Sequence, residues 1–394
     1  MKTHWKQVKI GEHLYRLEME NGFFTAVERD DSSLGIGERG WNAKGLLYLP
    51  TLSDRHCHLD KHFIGETWRS RTAIDTLPNH LRREKELLAS LQGDVLERAR
   101  TLLNIMLRHG TTKIRTHVDI DPTLGLAHLE AILQVREEFK DSIEFEIVAF
   151  PQQGLIRSKS IDIMKEAMQM GADLVGAVDP GGLDHQIESC LAHVFELATQ
   201  FNKGVDVHLH DPGHLGLYTI DRMMDKTEQA RLQGRVAVSH AYCLGQVTES
   251  ESRELAERLK EQRVAIISNV PIDRPMPNVP QLAALGVDVQ IGTDNVLDSW
   301  SPFGDGDMLR RMNRLAERFQ WIEDDQLLGT YRFATKQSLV PRVGAPADFM
   351  LVSAMNLEHA VASVPPREFV VVAGKLVYEK EQKVRAAYER NHQL

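Results

Sequence analysis

Apolar and polar positions follow two different rhythms along this chain. Near the start, Lys6–Ile10, Leu14–Met19 and Phe23–Val27 are short runs broken by Gly11 and by Asn21-Gly22. Such runs around an Asn-Gly pair predict antiparallel strands joined by a tight turn. From residue 94 onward the rhythm becomes helical stripes alternating with short apolar runs. Val95–His109 reads as a helix stopped by Gly110 and is followed by a strand, Thr112–Val118. The same order repeats in Leu124–Lys140 and Glu144–Phe150, in Ile161–Met170 and Leu174–Val178, and in Gln186–Asn202 and Val205–His208. It continues in Ile220–Gln233 and Val236–His240, in Glu249–Gln262 and Val264–Ser268, and in Pro280–Leu285 and Val287–Gly292. Gly171, Gly234 and Gly286 punctuate helix ends as Gly110 does. The run Gly45–Leu52, just ahead of His56, reads as one more buried strand and brings the number to eight.

Strand–helix alternation predicts an α/β fold with a parallel sheet, and eight units predict a closed (β/α)8 TIM-type barrel. The expected domains are the barrel over 51–339 and a small β-sandwich built from both termini, 1–50 and 340–394. The C-terminal share of that sandwich is Asp348–Val352, Phe369–Val372 and Lys375–Tyr378, with a turn at Ala373-Gly374. A doubly wound open sheet would place a glycine-rich phosphate loop after the first strand. Asp54-Arg55-His56-Cys57-His58 stands there instead, without a glycine.

Composition narrows the picture. With 394 residues, 42% hydrophobic and 26% charged, the chain has the make-up of a soluble globular protein large enough for a barrel and an accessory unit. A net charge of −9 argues against nucleic acid as a partner, which needs a basic surface. Cys57, Cys190 and Cys243 are sparse and unpaired in spacing, the pattern of reduced thiols and a cytoplasmic home. No run approaches the ~20 apolar residues of a membrane helix, and the N-terminus has no apolar signal core.

Chemistry concentrates where the predicted strands end, the face on which barrel enzymes carry their sites. Strand one ends in His56 and His58, strand two in His117 and Asp119, and strand three leads to Gln152. Strand four ends at Asp179, strand five in His208, His210 and Asp211, strand six in His240, and strand eight in Asp294 and Asn295. His56 and His58, two apart on a strand, share a face and can grip one divalent ion. His56, His58, His208 and Asp294 supply three neutral nitrogens and a carboxylate and leave room for a water, the make-up of a catalytic site. The metal makes that water a hydroxide nucleophile. Asp294 can also take a proton, and His240 can orient the water or polarise the group under attack. His210 and Asp211 compete for a second acid–base role, with period-two geometry favouring His210. Lys61 can meet a carbonyl or oxyanion of the substrate. A two-metal site usually needs a bridging lysine on strand four, and Leu174–Asp179 has none, so one ion is expected.

The motifs His56-Cys57-His58-Leu59-Asp60-Lys61, Arg115-Thr116-His117-Val118-Asp119 and Val148–Gln152 resemble the amidohydrolase superfamily, in particular its mononuclear cytosine deaminase group. So do Asp206–Asp211, Ser239-His240-Ala241, and Thr293-Asp294-Asn295 with Trp300. The resemblance implies a barrel with a small β-sandwich and one Zn2+ or, alternatively, Fe2+, held by His56, His58, His208 and Asp294. It implies a catalytic His240, and hydrolysis of an exocyclic C–N bond on a pyrimidine or triazine. Gln152, Asn295 and Trp300 would surround the substrate ring, with His117 and Asp119 as further readers of it and Asp179 nearby. Homo-oligomers are common in the group. Cytosine deaminases carry a glutamate where this chain has Asp211 and a second aspartate where it has Asn295, which points toward triazine-type substrates. A ring-opening cyclic-amide hydrolase and a non-catalytic barrel scaffold are the competing readings.

Overall fold

The computed structural model describes residues 2–30, 40–73, 76–91 and 93–380. The last stretch of the expected terminal domain, 381–394, lies outside the described residues. Eight parallel strands form the barrel: β1 (Leu52–Cys57), β2 (Thr111–Asp119), β3 (Glu144–Phe150), β4 (Leu174–Val178), β5 (Gly204–Leu209), β6 (Val236–His240), β7 (Ala265–Ser268) and β8 (Val289–Ile291). Each pairs with its chain neighbour. The seam is drawn together by a parallel bridge between Cys57 and Asp294, whose N–H donates to the His56 carbonyl at 2.7 Å. Gly292 makes this approach possible, because a Cβ there would fall 2.5–2.6 Å from His56 atoms. Asp54 locks the same seam by accepting from the His56 and Thr293 N–H groups at 3.1 and 3.0 Å.

Helices α1 (Leu77–Ala89) and α2 (Val95–Arg108) follow β1, and α3 (Ala127–Phe139) follows β2. Then come α4 (Ile161–Met170), α5 (Ile187–Gln200), α6 (Gly213–Ala230), α7 (Glu249–Glu261), α8 (Val279–Ala284) and, after β8, α9 (Met308–Arg318). Helix α4 ends at Gly171 with φ 117°, as its sequence predicts, while Thr248 and Glu251 form a capping box at the start of α7. Two helices depart furthest from expectation. Helix α6 starts at Gly213, not Ile220, and within its first turn Gly216 packs where a Cβ would lie 2.6 Å from Cys243. Helix α1 was not expected at all, although Thr76 caps it and Pro78 stands in its first turn.

The second unit is one mixed sheet of eight strands drawn from both termini. Its spatial order is 375–379, 367–372, 349–352, 47–50, 2–10, 13–20 and 23–29, with Trp41–Asn42 parallel to the 2–10 strand. The run Gly45–Leu52 is therefore divided: Leu47–Pro50 belongs to this sheet, and the barrel begins at Leu52. Trp5, Leu17, Phe24, Tyr48 and Phe349 form its core, with Phe24 and Phe349 ring centroids 5.9 Å apart. Asn21 and Gly22 have φ 53° and 87°, and Ala373 and Gly374 have 48° and 71°, which are the positive values that two-residue hairpin turns demand. The three cysteines are buried and unpaired. Among the described residues no helix is long and apolar enough to cross a membrane.

Candidate active site

The C-terminal ends of the barrel strands converge on a nest of imidazoles. Ring centroids lie 5.4 Å apart for His56 and His58, 4.5 Å for His56 and His208, and 4.7 Å for His56 and His240. Alternation explains most of this, since His56 and His208 occupy inward positions of β1 and β5 and His58, just past β1, keeps the phase of His56. It does not explain His240. Ser239 already faces the interior, so His240 should turn away from it. A φ of 71° at His240 rotates its ring back into the cluster, and Asp294 enters with φ 57°. Positive φ at such residues costs ~1–3 kcal/mol each and marks sites where geometry outranks stability.

Hydrogen bonds fix which nitrogens face the centre. The Ser239 hydroxyl donates to Asp206 Oδ1 at 2.6 Å, so its oxygen is left to accept from His56 Nδ1–H at 2.9 Å. Asp206 is held in turn by Arg115 at 2.7 Å. His58 Nδ1 donates to the His117 carbonyl at 3.2 Å. Both rings therefore present bare Nε2 lone pairs. His58 Nε2 and His56 Nε2 lie 3.4 and 3.6 Å from Asp294 Oδ1. The other Asp294 oxygen accepts from Asn269 at 2.7 Å and from Asn295 at 2.9 Å. Burial, reinforced by neighbouring imidazoles, holds His56 and His208 well below their ordinary pKa, and burial followed by His210 lowers His240 to about 3. Asp294 stays well below the carboxylate range, since His58, His240 and His56 outweigh its burial.

Neutral imidazoles around an ionised carboxylate are the donor set of a divalent cation. Among the described residues, His56 Nε2, both His208 nitrogens and His240 Nε2 are buried without a hydrogen-bond partner, an arrangement that a cation would satisfy. Candidate ligand atoms of His56, His240 and Asp294 lie within 4.8 Å of one another, as do those of His56, His117 and His208.

A cavity of about 60 Å³ opens above the imidazoles. His58, His208, His210, His240, Asp294, Lys61, Gln152, Asn295 and Trp300 line it on the polar side. Leu77, Leu81, Phe150, Val178 and Leu183 line it on the apolar side. His210 Nδ1 donates to Asp179 at 2.9 Å, and its ring stacks 4.5 Å from His240. Asp179 outweighs burial and raises the His210 pKa.

Several expected residues lie elsewhere. His117 has no exposure and sits beneath His56, ring centroids 4.0 Å apart, outside the cavity lining. Asp119, buried beside Asp60, is also off the wall, and burial with the Asp60 and Asp121 charges pushes its pKa to about 7. Asp179 is behind His210 and reaches the cavity only through it. Asp211 turns to accept from the Gly181 and Gly182 N–H groups, both at 3.1 Å, leaving His210 on the wall. The sequence reading missed Leu77, Leu81 and Glu84 on α1; the Thr76 cap followed by Pro78 was the signal that could have revealed them.

Comparison with known proteins places the chain in a class. The chain belongs to the Amidohydrolase family, whose model matches residues 39–378. It is 37% identical over 374 residues, 92% of this chain and 81% of the relative, to the uncharacterized protein YahJ of Escherichia coli (strain K12). N-isopropylammelide isopropylaminohydrolase from Burkholderia multivorans superposes with a TM-score of 0.89 at 32% identity, covering 96% of this chain and 98% of that one. The 5-methylcytosine deaminase from Klebsiella pneumoniae, liganded with 5-fluorocytosine, superposes with a TM-score of 0.82 at 24% identity, covering 97% and 98%. The chain is thus a hydrolase acting on carbon–nitrogen bonds.

Proposed function

We propose that this protein hydrolyses an exocyclic C–N bond of a pyrimidine- or triazine-type heterocycle, with one Zn2+ or Fe2+ held by His56, His58, His208 and Asp294. The observation that carries this reading is the set of bare, buried imidazole nitrogens facing the Asp294 carboxylate beneath a cavity lined by Phe150 and Trp300. When bound, the ion acidifies a water and polarises the carbon it attacks.

The chain's own groups do the rest. Asp294, one oxygen anchored by Asn269 and Asn295, turns the other toward the ion's site and also takes the proton of the attacking water. His240, neutral, directs its free Nε2 at the same point. His210, oriented by Asp179, delivers a proton to the departing nitrogen, which cannot leave as an anion. Lys61, buried but kept charged by Glu84, Asp298, Asp60 and Asp294, faces an oxygen on the ring. Phe150 and Trp300 supply aromatic surfaces for a flat substrate. The leucine- and valine-lined side suits an alkyl group on the leaving amine, as in N-isopropylammelide.

Assaying amine and ammonia release from N-isopropylammelide, cytosine and 5-methylcytosine, with hydantoin as a cyclic-amide control, tests the reading. Release that disappears on chelation and returns with Zn2+ or Fe2+ is expected. Ring opening of hydantoin with no amine release from any of the other compounds would overturn it.

A further inference from the structure

One buried carboxylate outside the cavity controls three groups that line it. Glu84 on α1 is 2% exposed. Its Oε1 accepts from the Trp300 indole N–H and from the Ser299 hydroxyl, each at 2.7 Å. Its Oε2 accepts from Gln152 Nε2, and Gln152 Oε1 accepts from Lys61 Nζ at 3.1 Å. An ammonium only donates and a carboxylate only accepts, so the amide between them has a single satisfied orientation. Its oxygen points to Lys61 and its nitrogen to Glu84. Lys61 also lies 5.9 Å from the Phe150 ring centre and 5.8 Å from that of Trp300.

We propose that Glu84 is a positioning residue that sets substrate preference: by fixing the Gln152 amide and the Trp300 ring, it holds the Lys61 ammonium, which can only donate, in place at that wall and so selects ring oxygens over ring amino groups. The proposal rests on the heterocycle reading above. With glutamine at position 84, the amide nitrogen meets that of Gln152, two donors face each other, and Gln152 turns. Its nitrogen then opposes Lys61, and the wall loses its order.

The test is a mutant cycle on the metal-loaded full chain. Trp300 emission and acrylamide quenching are read without ligand, as differences from matched Trp300→Phe proteins. Calorimetry measures affinity for cyanuric acid, with three ring oxygens, and for melamine, with three amino groups. In Glu84→Gln the Trp300 emission shifts, quenching increases, and a wild-type preference for cyanuric acid falls about tenfold. The double exchange Glu84→Gln with Gln152→Glu restores every donor–acceptor pair, and with it Trp300 emission and melting temperature, while Gln152→Glu alone sets two carboxylates face to face and does not. Unchanged Trp300 emission with a preference within twofold of wild type in Glu84→Gln overturns the proposal. If Glu84→Gln does not fold, the double exchange decides: recovery supports the proposal and failure to recover overturns it. Absence of amine release from every heterocycle assayed above would defeat the heterocycle reading, and the ligand-free fluorescence cycle would still decide the role of Glu84.

Discussion

Replacing Ser239 by alanine removes one hydroxyl that touches no substrate, yet the structure predicts a large effect on metal affinity. The hydroxyl gives its proton to Asp206 and takes the Nδ1–H of His56, a ring 1% exposed. In Ser239→Ala that N–H is buried without an acceptor, which costs about 1–3 kcal/mol. The tautomer that bares Nε2 loses its support by the same amount, equivalent to roughly 5- to 150-fold in affinity. Loss of groups that orient metal ligands elsewhere costs about 10- to 100-fold, the same range. Competition with a zinc chelator measures the affinity directly. At saturating metal, turnover of Ser239→Ala stays within a few-fold of wild type, because Asp294, His240 and His210 keep their partners. A Zn2+ affinity within twofold of wild type would refute the reasoning, since His56 would then not owe its tautomer to Ser239.

Two further substitutions probe the acid–base group and a buried pair away from the cavity. In Asp179→Asn an amide nitrogen can face His210 Nδ1 and favours the wrong tautomer, so kcat falls about 10²- to 10⁴-fold at unchanged metal content; a kcat within threefold of wild type would remove His210 from the mechanism. His128 donates to Asp60 at 3.0 Å, and this carboxylate outweighs burial to raise the histidine pKa above 6.5. That stabilisation is complete below the ordinary value and fades as pH rises through the raised one. The melting-stability gap between wild type and His128→Gln, about 1–3 kcal/mol in mild acid, therefore narrows toward alkaline pH, and a gap independent of pH would contradict the assignment.

The barrel was legible because each strand kept a continuous apolar run and most helices kept a period and a stop signal. The strand-end histidines were legible for the same reason: once the strands were counted, period two put His56, His58 and His208 on one face. What spacing along the chain left unexplained has several causes. The inward turn of His240 needs φ 71° directly after an inward Ser239, which alternation forbids. His117 fits the alternation but lies one layer too deep for the cavity, a matter of barrel depth that spacing along one strand does not encode. Helix α1 hid its apolar stripe, Leu77 and Leu81, beside the charged run Arg82–Glu86, and Glu84 was hidden with it. The Gly45–Leu52 run satisfied the barrel pattern and still divided at Thr51, because strands buried in two different sheets look alike in sequence.

The most direct test of the account is anomalous diffraction from crystals of the metal-reconstituted protein, recorded at the zinc or iron edge. The account predicts one anomalous peak, about 2.0–2.2 Å from one nitrogen each of His56, His58 and His208 and from an Asp294 oxygen. A peak held instead by His56, His117 and His208, with Asp294 outside bonding distance, would contradict it.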